Sequence, residues 1–165
     1  MKKILFFIFL ICTAITCNKK NNGGETNPNP ATTVQFAKGA DISWLTEMEA
    51  AGRKFYNSAG AEQECVLLLK NLGMNTIRLR VWVNPASGWN NRADVVNKAL
   101  RAKNLGIRIM IDFHYSDTWA DPGHQTKPAS WAGQEMTTLK TSLYNHTTDV
   151  LNDLKIIASP RSGYR

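Results

Sequence analysis

The chain has 165 residues, a formal net charge of +7 and three cysteines. Its length suits one domain with a real core, and its basic residues are scattered, with no run or stripe that would mark a nucleic-acid surface. Cys12 lies inside an N-terminal apolar run and Cys17 at its end, so Cys65 is left alone and a disulfide framework is excluded.

The first element in chain order is a secretion signal over residues 1–16. Lys2 and Lys3 precede an uninterrupted apolar run from Ile4 to Ile11, and small or apolar residues continue to Ile15. A charged start followed by an apolar run shorter than the roughly 20 residues of a membrane span is the pattern of a cleaved leader. Its ending on Thr16-Cys17 resembles a bacterial lipoprotein signal. That resemblance implies lipidation of Cys17, a membrane attachment through the lipid and an extracytoplasmic location. The competing reading is an ordinary leader with a cysteine nearby. Asn18 to Thr33 is rich in Asn, Gly, Pro and Thr, so residues 17–33 read as the lipidated cysteine and a flexible tether.

The folded part is expected over residues 34–154. Glu62 to Leu72 has helical composition and stops at Gly73, a residue suited to the left-handed position after a helix. Cys65 precedes Val66-Leu67-Leu68-Leu69 in that run and is expected as a buried thiol. Asn75 to Val83 alternates and reads as a strand. Asp94 to Leu105 is again helical and stops at Gly106, and Arg108 to His114 again reads as a strand. A last helix is expected from Glu135 to Leu154. Strands alternating with helices imply a parallel sheet with helices outside it. Eight units of this size approach the ~250 residues of a (β/α)8 barrel, while no Gly-rich phosphate turn supports a doubly wound sheet.

Strand parity supports the barrel. Ile77, Leu79 and Val81 share one face, and Arg78, Arg80 and Trp82 share the other. Ile109, Ile111 and Phe113 likewise oppose Met110, Asp112 and His114. Two arginines on one face of a sheet buried on both sides would be costly. In a barrel the aliphatic face meets the helices and the charged face points inward, where Arg78 or Arg80 pairs with Asp112. Arg80 and His114 then stand near the C-terminal strand ends, where barrel active sites form.

The stretch from Asp112 to Trp131 is long for a loop of this kind and mixes aromatics, acids and histidines, a composition suited to a carbohydrate cleft. Three pieces of the chain carry a specific resemblance: Lys38-Gly39-Ala40-Asp41-Ile42-Ser43, Arg78 to Pro85 and Ile111 to Gly123 with Gln125 to Pro128. Together they resemble family 53 of the glycoside hydrolases, the endo-β-1,4-galactanases, from about Phe36 to Leu154. The resemblance implies a (β/α)8 barrel of the retaining clan, acting on β-1,4-galactan in pectin side chains without a cofactor. It implies an acid/base glutamate and a nucleophilic glutamate at the ends of strands four and seven. It further implies that Arg80 orients the nucleophile, that His114 holds the sugar or the nucleophile, and that Asp41, Tyr115 and Trp119 line the subsites.

Blander roles compete with these. Arg78, or Arg80, reads as a structural partner of Asp112, Trp119 as a cap on the core, Asp121-Pro122-Gly123 as a turn and His124 as a loop residue. Asp112, His114, Asp117 and His124 could be written as a metal cluster. Barrel metallohydrolases, however, resemble a pattern with paired histidines after the first strand, where this chain has Asp41 and Ser43, so no metal is expected. A calcium site, carried by some relatives in late loops, would fall outside this sequence.

After Leu154 the sequence departs from the family pattern. Residues 155–165 read as an aberrant tail, and no Asn-Glu pair for the acid/base occurs anywhere in the chain. The expectation is therefore three β/α units of eight, two open sheet edges, and no galactan cleavage by the chain alone. The alternative function is a non-catalytic surface lipoprotein that binds glycan through the aromatic loop.

Overall fold

The computed structural model describes residues 36–158. The signal, Cys17, the tether and residues 159–165 lie outside the described residues.

Three parallel strands form one sheet in the order β1-β2-β3. β1 spans Gly39–Asp41, β2 Thr76–Val81 and β3 Arg108–Phe113. Two helices, α1 (Leu45–Ala50) and α2 (Cys65–Asn71), follow β1; α3 (Arg92–Asn104) follows β2 and α4 (Met136–Ala158) follows β3. These are three consecutive β/α units, as the alternation predicted. Among the described residues β1 and β3 each pair only with β2.

Local chemistry sets the boundaries. The Glu64 carboxylate accepts from the Leu67 amide and starts α2, while Asn91 accepts from the Asp94 amide and starts α3 two residues before the expected position. α2 and α3 end on Gly73 and Gly106 in the left-handed region, at φ 86° and 70°. In both, the amide after the glycine returns to a carbonyl one turn back, Met74 to Leu69 and Ile107 to Ala102. Gly39 is required for a different reason: a Cβ there would lie 2.3 Å from the Thr76 carbonyl oxygen on β2. The six-residue α1 has no counterpart among the expected elements, being too short for a periodic signal. α4 runs on to Ala158, into the segment read from sequence as a tail.

The core lies between the outer face of the sheet and the helices. Ile77, Leu79 and Val81 are fully buried, against a cluster that includes Val66 of α2, Val95, Ala99 and Ala102 of α3, and Val150 of α4. Arg92 pins α3 to α4 through Asp149 and Asp153. Arg101 of α3 joins Glu49 of α1 to Glu64. The parity reading holds: the aliphatic face of β2 is the helix-facing one, which leaves Arg78 and Arg80 on the inner face.

Candidate functional site

On the inner face one guanidinium spans all three strands. Arg78 on β2 donates Nη1 to Asp41 Oδ2 of β1 at 2.6 Å and Nη2 to Asp112 Oδ2 of β3. The same Asp112 oxygen meets His114 Nε2 at 2.8 Å. Burial pushes the Asp41 carboxyl up, but hydrogen bonding by Ser43 and the Arg78 guanidinium outweigh it and hold the group below the usual carboxylate range. Arg78 is therefore the residue that satisfies Asp112, although Arg80 is the one opposite Asp112 in the strand register.

Arg80 is engaged differently. It is 3% exposed and forms no ion pair among the described residues; its guanidinium carbon lies 4.7 Å from the Trp82 ring centroid and 4.6 Å from that of Trp119. Both indole faces attract the cation through their quadrupoles. Among the described residues its Nε and Nη2 are buried with no acceptor, and the neighbouring Trp82 Nε1 and His114 Nδ1 are likewise buried with no partner. Burial lowers the Arg80 pKa, yet a guanidinium stays charged at any working pH. His114 packs edge-on against Trp119 at 5.8 Å, and Trp119 is half exposed. Arg80, Trp82, His114 and Trp119 thus form one group: a cation short of acceptors, two aromatic faces and an imidazole.

The loop after β3 is held by Asp117, which accepts from the Asn84 amide and the Ala129 amide, both at 2.8 Å. This staple joins the loops after β2 and β3 and fixes where Trp119 stands. Asp121 shapes a turn, taking the Gly123 amide and the His124 ring. Asp117 and His124 are thereby occupied away from Asp112 and His114, and no group of three or more potential ligands is placed to hold a metal ion among the described residues.

Tyr115 sits apart from the other expected site residues. Its hydroxyl meets Thr147 Oγ1 of α4 at 2.8 Å, and its ring packs with Phe113, Trp131 and His146 at centroid distances of 5.8 to 6.4 Å. The alternation that points His114 inward turns Tyr115 toward the helix. Trp131 belongs to the same cluster and not to the Trp119 group. Cys65 is buried, and burial pushes its thiol up to about 11, so it is an inert packing group.

One participant is absent from the sequence reading. Lys98 of α3 is fully buried and donates to the Ser43 carbonyl at 2.6 Å, to Asp94 Oδ2 at 2.7 Å and to Asn90 Oδ1 at 3.1 Å. Burial lowers its pKa, partly offset by Asp94. Asn90, at φ 62° and fully buried, accepts the Trp82 amide on its carbonyl at 2.8 Å. The signal that could have found Lys98 is its place on the apolar stripe of Val95, Ala99 and Ala102. A cavity of about 580 Å³ opens beside β1, with Asp41, Arg78, Arg80 and Trp119 on one side and Met48, Phe55 and Leu68 on the other.

The chain is similar to known proteins in sequence and in fold. Residues 37–158 match the model of glycosyl hydrolase family 53. The chain is 44% identical over 115 residues to the probable arabinogalactan endo-β-1,4-galactanase A of Aspergillus fumigatus, across 70% of this chain and 32% of that protein. It is 46% identical over 118 residues to the arabinogalactan endo-β-1,4-galactanase of Thermothelomyces thermophilus, across 72% and 35%. Among solved structures it is similar to a fungal β-1,4-galactanase, with a TM-score of 0.70 and 45% identity over 73% of this chain and 36% of that one. It is similar also to the family 53 catalytic domain of Ignisphaera aggregans, with a TM-score of 0.71 and 36% identity over 79% and 39%. The chain spans about a third of the length of the curated relatives it matches. It belongs to glycosyl hydrolase family 53, and its three β/α units are part of that family's (β/α)8 barrel.

Proposed function

We propose that this chain supplies the β1–β3 wall of the cleft of an endo-β-1,4-galactanase and that the glutamates cutting the sugar chain come from further strands. The observation that carries the reading is Arg80, a buried guanidinium held on two indoles, with Nε and Nη2 lacking acceptors among the described residues. An incoming carboxylate is the group that would satisfy it. The half-exposed Trp119 beside it offers a ring on which a sugar C–H face can pack.

The carboxylates on the inner face do not serve as the acid/base pair. Asp41 and Asp112 are both taken by Arg78, and Asp41 is held ionised, whereas a general acid needs a raised pKa. In a retaining mechanism one glutamate protonates the leaving oxygen and the other forms a glycosyl intermediate, the two carboxyls standing about 5–5.5 Å apart. Arg80 would orient the second of these, and His114, fixed by Asp112, would hold the sugar or that nucleophile. Attachment through a lipidated Cys17 and an extracytoplasmic site of action belong to the same proposal, supported by the Lys2-Lys3 and Ile4-to-Ile11 pattern.

Sequencing the DNA beyond the Arg165 codon and expressing the extended product tests the reading. The expected result is release of galacto-oligosaccharides from β-1,4-galactan and not from xylan. An extended product that carries the remaining strands and leaves galactan intact would contradict it.

A further inference from the structure

We propose that Lys98 is a positioning residue of the cleft: one buried ammonium that sets the places of Arg80 and Trp82 by clamping the loops after β1 and β2. The role rests on the galactanase reading, because it gives that pair a task.

From α3, behind the sheet, Lys98 Nζ takes the Ser43 carbonyl on the loop leaving β1 and the Asn90 side-chain oxygen on the loop leaving β2. Asp94 Oδ2 supplies the balancing charge and also accepts the Asn90 amide at 2.6 Å. Each loop residue then hands the constraint to the inner face. Ser43 Oγ accepts the Arg80 amide at 2.8 Å, and the Ser43 amide donates to Asp41 Oδ1 at 2.8 Å. The Asn90 carbonyl accepts the Trp82 amide. Among the described residues Arg80 has no ion pair to hold its head group, so its position depends on its backbone and on the Trp82 and Trp119 rings. Lys98 governs the backbone and one of those rings together.

A lysine used only to fill space would not need three acceptors from three segments. A buried ammonium with all three donors matched is rigid, and rigidity behind the reacting groups is what a preorganised site requires.

The test uses the full chain labelled with 5-fluorotryptophan and read by ¹⁹F NMR. Lys98→Met, nearly equal in length but uncharged, is expected to move the Trp82 and Trp119 signals and leave that of Trp131 in place. Arg92→Ala breaks the α3–α4 pairs instead and is expected to lower thermal stability without moving Trp82 or Trp119. Ser43→Ala keeps Lys98 and removes the hydroxyl that accepts the Arg80 amide and hydrogen-bonds Asp41; it is expected to move the signals of Trp119 and Trp82, the two rings Arg80 packs on, and it decides the relay if Lys98→Met does not fold. Unmoved Trp82 and Trp119 signals in Lys98→Met, or an unmoved Trp119 signal in Ser43→Ala, would overturn the proposal. No sugar is involved in this readout, so its failure is separate from any failure to cleave galactan.

Discussion

The two faces of β2 are completed in different ways. On the outer face, Ile77, Leu79 and Val81 are fully covered by helices of the same three units. On the inner face, Arg78 finds two carboxylates within the three strands, whereas Arg80 finds indole rings and leaves two donors unmet. A β/α unit covers the outside of its own strand, but the inside of a barrel is shared by strands far apart in sequence. Stability is therefore concentrated on the outer face, and open hydrogen-bonding capacity on the inner one.

Substitutions on the two faces should separate accordingly. Leu79→Ala removes a fully buried side chain and should cost about 2–5 kcal/mol, read as a large fall in Tm by circular dichroism. Trp119→Ala should leave stability nearly unchanged and weaken galacto-oligosaccharide binding by the extended enzyme about tenfold, equivalent to about 1.4 kcal/mol. Equal loss of Tm for these two variants would erase the distinction between the faces.

Smaller effects sharpen it. Arg78→Met frees Asp41 and Asp112, but the guanidinium is 44% exposed, so solvent and salt should hold the cost to about 0–1 kcal/mol in denaturant melts. The pH dependence of Asp41 has a definite sign. Its folded pKa is below its unfolded one, so its contribution is present above the unfolded value near 4 and is lost as pH falls through the folded value. Acid melts of Asp41→Asn should lack that loss. Arg80→Met should change stability least, within about 0.5 kcal/mol, because shedding buried donors that have no acceptor among the described residues offsets the loss of the two indole contacts. A cost of several kcal/mol would show that Arg80 is a structural residue after all.

Much of this was legible in the sequence, for identifiable reasons. Parity alone placed Ile77, Leu79 and Val81 against the helices and Arg78 and Arg80 inside, since period-two alternation leaves no choice of face. The Gly73 and Gly106 stops were equally legible because the backbone conformation demands glycine. Which arginine takes Asp112 was not, because register places Arg80 opposite it and only side-chain geometry diverts the carboxylate to Arg78. Tyr115 next to His114 read as one more cleft aromatic, but neighbouring residues along an extended chain face opposite ways, and Tyr115 packs on α4. Lys98 does not stand out among the scattered basic residues of the sequence. Its burial depends on Ser43, Asn90 and Asp94 converging on it, and two of those belong to loops whose paths the sequence pattern does not fix.

The central claim, that this chain is a cleft wall whose cutting carboxylates lie elsewhere, meets its most direct test in reducing-end release from β-1,4-galactan by purified residues 17–165. No release above a buffer blank is expected at any pH. Cleavage by that protein, abolished by Asp41→Asn or Asp112→Asn, would contradict it.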